Sequence, residues 1–248
     1  MITEAFDRSE PMMGPGTFYG PKQKLCDVCI LTFSHVILSE MRRVLPLKQA
    51  SALSGVDGEK PVYLMEHGGR QIAVFQCGIG AALAGTNIVE LNWVTGAEKY
   101  ILFGSAGSLD HAATGGKYVI PTEAFRDEGM SYHYAPPADY IRIKNAERLA
   151  GIFSELSLPF VQGRVWSTDA FFRETRNRVA ARQAEGCIAV EMELAGVQAV
   201  CDFHGFELYD FLVTGDVLDT PDYQIAELQS ANHDLDKLRI ALEIAKRI

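Results

Sequence analysis

Two glutamates stand two residues apart in AVEMELAG, residues 189–196, directly after an apolar run and before a stretch of small residues. Carboxylates at the margin of a core resist ionisation and cost free energy unless something bonds them. On extended backbone Glu191 and Glu193 would share a face, whereas on a helix they would point apart. At a strand end, a carboxylate that accepts two hydrogen bonds suits a vicinal diol such as the 2′ and 3′ hydroxyls of ribose. Met192 between the two offers an adaptable apolar surface. The competing reading is a cap carboxylate at a helix start with a solvated neighbour. Asp216, in VTGDVLD after another apolar run, is a second candidate. A partly desolvated aspartate holds its proton and can give it to a leaving group, although Asp216 and Asp219 could equally form a turn ahead of Pro221.

Other motifs are weaker taken singly. GSAG at 104–107 offers closely approachable backbone and the Ser105 hydroxyl, with Gly104 and Ala106 beside it, a cradle for an anion or hydroxyl. It could also be an ordinary strand-to-helix turn. Phe171 and Phe172 could stack on a base, or pack into a core like most adjacent aromatics. GIGAALAG does not have the GxGxxG spacing, and no P-loop lysine follows it, which argues against a dinucleotide or nucleoside-triphosphate site. Cys26 and Cys29 form a lone CxxC with no second pair to complete a zinc site, so two reduced thiols and no metal are expected.

These residues need elements to position them, and the pattern supplies alternating strands and helices. VCILTF reads as a strand and SHVILSEMRRVL as a helix capped by Ser34. VYLMEH and QIAVFQC read as a hairpin around Gly68 and Gly69. Further strands are expected in KYILFGSAG, where the strand runs into a small-residue turn, and in KYVIPTEAF, VQGRVWSTD, CIAVEM and ELYDFLVTGD. Helices are expected in ALAGTNIVELNWVTGA, NAERLAGIFSEL, RETRNRVAARQAEG, ELAGVQAVCDFHG and a single terminal helix near 224–247. Apolar strands without a polar face imply a sheet covered on both sides. The expected fold is therefore one α/β domain over 25–248, a three-layer α/β/α arrangement around a mixed, largely parallel sheet. Residues 1–24, rich in Gly and Pro, read as an extended arm. In such a sheet, ligands bind outside the carboxyl ends of the strands, where the motifs above fall.

Composition narrows the partners. With 248 residues, 48% of them hydrophobic, the chain can bury one large core. A net charge of −9 disfavours nucleic acid and anionic membranes and leaves a small molecule as the expected partner. The polar opening MITEAFDRSE and the lack of an 18-residue apolar run make the cytoplasm the expected location.

Together, GSAG, STDAFF, AVEMELAG and an aspartate at the next strand end resemble the family of nucleoside phosphorylases and methylthioadenosine/adenosylhomocysteine nucleosidases. AFRDEGMSYHYAPP at 124–137 is similar to the phosphorylase branch in particular. The resemblance implies cleavage of a ribose-to-base N-glycosidic bond, with inorganic phosphate as co-substrate in a phosphorylase and no other cofactor. It implies that Glu193, with Glu191 beside it, holds the ribose hydroxyls and that Met192 packs under the sugar. Phe171 or Phe172 would contact the base, with Arg173 a further candidate there. Ser105, flanked by Gly104 and Ala106, would meet phosphate or water. Asp216 best matches the proton donor, while Gly215 stands in the family's usual aspartate register. The family's two phosphate arginines are replaced by Ile37 and Leu102, and the nucleosidase branch's water-activating glutamate is also expected near Ile37. His35, Arg42, Arg43, Arg126 and His133 are the remaining candidates to activate the attacking group. Phosphorolysis, hydrolysis and a nucleoside-binding protein without turnover all remain open on these residues, as do purine and pyrimidine. The resemblance also implies a homo-oligomer, a dimer or a trimer of dimers.

Overall fold

The computed structural model describes residues 4–56, 58–225 and 227–248. After a short helix α1 (Gly16–Tyr19), the chain enters the sheet at β1 (Val28–Thr32) and leaves it for α2 (His35–Val44). Ser34 caps α2 as its sequence predicts, its hydroxyl accepting from Ile37 N at 3.1 Å. A meander follows: β2 (Lys48–Gly55), β3 (Gly58–His67) and β4 (Arg70–Gln76). The β3–β4 hairpin turns at Gly68 and Gly69 as expected. β2 was not foreseen, because KQASALSG is mostly exposed and lacks an apolar alternation.

The second part alternates. α3 (Ala81–Thr95) leads to β5 (Lys99–Ser108), α4 (His111–Thr114), β6 (Tyr118–Asp127) and α5 (Ser131–Tyr134). Then come β7 (Tyr140–Arg142), α6 (Ala146–Glu155), β8 (Phe160–Thr168), a 3₁₀ turn over Phe171–Arg173 and α7 (Arg176–Ala184). The chain closes with β9 (Cys187–Glu191), α8 (Leu194–His204), β10 (Glu207–Val217), α9 (Leu228–Asn232) and α10 (Asp236–Ala245). The terminal helix expected over 224–247 is thus two helices, broken at His233–Leu235.

β1 lies between β4 and β5, parallel to both, and β5 is parallel to β10 over nearly its whole length. β6, β8 and β9 are also joined in parallel. Two short antiparallel contacts, β10 with β6 at Leu212–Val213 and β9 with β5 at Gly107–Ser108, join these groups. The strands β5, β10, β6, β8 and β9 therefore close on themselves as a small barrel, while β1, β4, β3 and β2 extend from β5 as an open sheet. Such closure demands that β5 run on past its buried stretch, so GSAG is extended strand and not the turn its small residues suggested. A large core from Cys26 to Ile248 fills the layers, and a smaller one gathers Leu109, Trp166, Val179, Cys187 and Val190. From Tyr19 the arm lies along α3 of its own chain: Tyr19 donates its hydroxyl hydrogen to Glu90 at 2.7 Å, and Trp93 Nε1 donates to Gly20 O at 2.7 Å. Among the described residues no helix is long and apolar enough to cross a membrane, and no cluster of His, Cys, Asp and Glu is arranged to hold a metal. The five cysteines are free and buried.

Candidate active site

A cavity of about 450 Å³ opens where β1, β5, β9 and β10 end and α2, α8 and the α9–α10 link converge. That volume lies in the range of small-molecule sites. Glu191, Met192 and Glu193 form one wall, and Gly104, Ser105 and Ala106 another. Asp216 and Phe171 also line it, so motifs more than a hundred residues apart in sequence meet here.

The two glutamates do different work. Glu191 ends β9 and turns back over the start of α8, accepting from the amides of Glu193 and Leu194 at 2.7 Å each. The Ser167 hydroxyl donates to the same carboxylate and accepts from Ala195 N at 3.0 Å. Glu191 thus satisfies the orphan donors of a helix N-terminus, which is the cap reading rather than a diol reading of this residue. Glu193 is the residue before α8, with φ −131° and ψ −38°, so the pair does not share an extended face. Its Oε1 accepts from Gly80 N at 2.6 Å. Gly80 has φ +102°, a backbone state costly for any side chain, and that state aims its N–H at Glu193. One amide uses a fraction of the acceptor capacity of a carboxylate, leaving Glu193 able to bond further groups from the cavity. Burial raises the pKa of both glutamates, and for Glu193 the neighbouring Glu191 charge adds to it. The two together resist full ionisation.

Asp216 sits on β10 just past a bulge, opposite Gly107. A Cβ on Gly107 would lie 2.5 Å from Leu218 Cδ1 and 3.0 Å from Val190 Cγ1, so glycine lets these side chains pack over β5 beside Asp216. Asp216 is buried, and burial raises its pKa, while the Tyr223 hydroxyl opposes the rise. Glu174 lies beside it on the cavity wall, pushed up to about 7 by burial and then by the Asp216 charge. The Asp216 charge thus favours a proton kept on Glu174.

Several expected residues fall elsewhere. Phe172 is 92% exposed and does not line the cavity, and Arg173 is exposed on the 3₁₀ turn; Phe171 and Glu174 take the inward positions. Arg126 is buried and committed to Ser131 Oγ at 2.8 Å and to Pro136 O at 2.7 Å, over the Tyr132 ring, so it shapes the 131–136 turn. Arg43 pairs with Glu40, Arg42 lies over Tyr63, and His133 is exposed. Of the five proposed activators only His35 reaches the cavity.

Other lining residues were missed. Asn232 at the end of α9, His233 in the break and Lys237 at the start of α10 line the cavity, and sequence periodicity smoothed this segment into one helix. A signal was present, since Lys237 shares the apolar stripe of Ile240, Ala241 and Ile244, where a charge is out of place. Asp210 interrupts the apolar strand ELYDFLV in the same way. Its carboxyl is buried, neither oxygen meets a hydrogen-bonding group among the described residues, and burial followed by the Glu191 and Glu193 charges holds its pKa well above the usual range. An unfolded aspartate ionises near pH 4, so above that pH the folded form is increasingly disfavoured until Asp210 itself ionises. Asp210→Asn should therefore be no less stable than the wild type at pH 4 and gain stability on it progressively towards pH 8. Denaturant melts at the two pH values check this, and a constant difference between them would contradict it.

Comparison with known proteins agrees with this geometry. The family described as the Phosphorylase superfamily matches residues 28–247. A DeoD-type purine nucleoside phosphorylase of Exiguobacterium is 25% identical over 186 residues, 73% of this chain and 77% of that protein. A guanosine phosphorylase of Halorubrum lacusprofundi is 27% identical over 161 residues, 64% of this chain and 66% of that one. In fold, the chain is similar to the 5′-methylthioadenosine/S-adenosyl homocysteine nucleosidase of Campylobacter jejuni, with a TM-score of 0.72 at 15% identity, covering 90% of this chain and 100% of that one. The match spans every strand of the sheet and every wall of the cavity, and this chain belongs to the phosphorylase superfamily.

Proposed function

We propose that this protein cleaves the N-glycosidic bond of a purine nucleoside by phosphorolysis, giving free base and ribose 1-phosphate. The observation that carries the reading is the placing of two buried carboxyl groups of distinct surroundings, Glu193 and Asp216, on one nucleoside-sized cavity. Breaking the bond leaves a cationic sugar and an electron-rich base, so a carboxylate at the sugar and a proton donor at the base each stabilise developing charge. In this reading Glu193 accepts hydrogen bonds from the ribose 2′ and 3′ hydroxyls and Met192 packs under the sugar. Phe171 stacks on the base, and Asp216, with Glu174 beside it, protonates a ring nitrogen. Ser105, between Gly104 and Ala106, borders the attacking phosphate, the sole co-substrate. The relatives named above, which act on purine nucleosides and guanosine by name, support purine over pyrimidine.

The reading includes a cytoplasmic homo-oligomer. Ile79, 64% exposed, and Phe172, 92% exposed, stand at or beside the cavity, an apolar surface of the kind that a second subunit covers. The test is base release from a panel of purine and pyrimidine nucleosides, followed by absorbance with and without phosphate. Purine nucleosides should react, and faster with phosphate. Phosphate-independent release would favour hydrolysis, the second reading, which draws on the apolar residues Ile37 and Leu102 at the positions where phosphate-binding arginines were expected.

A further inference from the structure

The cavity wall carries five acidic residues and, among the described residues, one lysine or arginine, Lys237. This lysine opens the apolar stripe of α10 and is 1% exposed. Its Nζ donates to the carbonyl oxygens of Ala231, at 2.5 Å, and Gly104, at 3.3 Å. Both acceptors are uncharged, so the ammonium retains its charge and a third hydrogen. Burial lowers its pKa to about 8, which leaves it mostly protonated at neutral pH. Asp234 is the nearby acidic charge that supports the ammonium, but the ammonium's hydrogen bonds go only to carbonyls, and an anion beside it would further offset the cost of burial.

The groups around Lys237 suit an oxyanion. Ser105 donates its hydroxyl hydrogen to Asn232. An amide that turns its NH₂ toward Ser105 instead would free that hydrogen for the cavity. The Ser34 hydroxyl, which already accepts from Ile37 N, lies 2.8 Å from His233 Nδ1. A hydroxyl so placed gives its own hydrogen best to Nδ1, which leaves the imidazole hydrogen on Nε2 as a donor. The His35 ring meets His233 edge-on, with centroids 5.7 Å apart. Lys237, Ser105, Asn232, His233, Ser34 and His35 all line the same cavity as Glu193.

We infer that Lys237, reaching in from α10, is the residue that holds the attacking oxyanion, and that His233 is its second donor. The ligand is a tetrahedral oxyanion of the inorganic phosphate class. This rests on the phosphorolytic reading for its place in turnover. There, a phosphate oxygen forms a bond to the anomeric carbon, the carbon–nitrogen bond breaks, and its electron pair passes to the base, which takes the Asp216 proton. The cation would then be supplied by the C-terminal helix and not by the strands that build the rest of the site.

Calorimetric titration of inorganic phosphate into the full-length protein tests the inference separately from turnover. Lys237→Gln should weaken phosphate binding about 10- to 100-fold, the usual worth of one charged hydrogen bond, and Lys237→Arg should recover part of it. His233→Gln should weaken phosphate binding several-fold on an otherwise undisturbed α10, which keeps the question decidable if Lys237→Gln does not fold. In turnover, Lys237→Gln should raise the KM for phosphate by a similar factor and leave the KM for nucleoside within about twofold. Unchanged phosphate binding in the lysine and histidine variants, or no phosphate binding by the wild type, would overturn the inference. Wild-type phosphate binding that Lys237→Gln abolishes, together with base release that ignores phosphate, would uphold the anion site and reject phosphorolysis.

Discussion

Glu193→Gln is expected to lower kcat/KM for every nucleoside substrate by about 10²–10³, the scale seen when one preorganised electrostatic contact to a developing charge is removed. The amide side chain can still accept from Gly80 N through its oxygen, so the wall of the cavity is preserved. What is lost is a negative charge beside the sugar and the capacity to accept from two hydroxyls at once. Stability should hold or rise, because the glutamine no longer repels the Glu191 carboxylate buried beside it. A thermal melt at pH 8 reads that second effect. Wild-type turnover in a folded Glu193→Gln protein would mean that the sugar lies elsewhere.

Asp216→Asn is expected to reduce kcat by about 10²–10⁴, the usual contribution of a general acid. The pH profile gives a sharper signature. Burial raises the Asp216 pKa, so the active, protonated form persists above the ordinary aspartate range and is lost as pH rises through the folded-state value. Wild-type kcat should accordingly fall on the alkaline side, with the neighbouring Glu174, pushed up to about 7, contributing to the same limb. The asparagine variant should lose the Asp216 part of that limb. A purine nucleoside whose base already carries a positive charge, such as a 7-methylated one, needs no proton to leave, and the variant should cleave it at close to the wild-type rate. Equal losses on neutral and cationic bases would assign Asp216 a structural role.

Local signals read well in this chain. Ser34 before an apolar-periodic segment, the paired glycines at 68–69 and the continuous apolar runs of β1, β5 and β9 each depend on neighbours a few residues away, and each forms as expected. The wall residues Glu193, Met192, Ser105, Phe171 and Asp216 were legible because polar or special residues stand directly after, or late within, apolar strands. The pieces that escaped depend on contacts distant in sequence. Barrel closure between β9 and β5 keeps Gly104–Gly107 extended, which no local propensity announces. The break before α10 is set by packing of α9 against β10 and of α10 against β5, and it turns Lys237 inward. Glu191 and Glu193 are alike in sequence, yet one faces amides at a helix start and the other faces the cavity, a distinction made by the turn of the chain at Met192.

Lys237 gives a largely acidic cavity a cation that sequence reading did not place there. Glu174, Asp216, Glu193, His233 and Lys237 all line the one cavity, so several carboxyls and a cation meet there.

Phosphorus NMR of guanosine incubated with inorganic phosphate and the wild-type protein separates phosphorolysis from every alternative. A new sugar-phosphate resonance should grow in step with free guanine while inorganic phosphate declines by the same amount. Guanine appearing with free ribose and an undiminished phosphate signal, or no guanine at all, would contradict phosphorolysis.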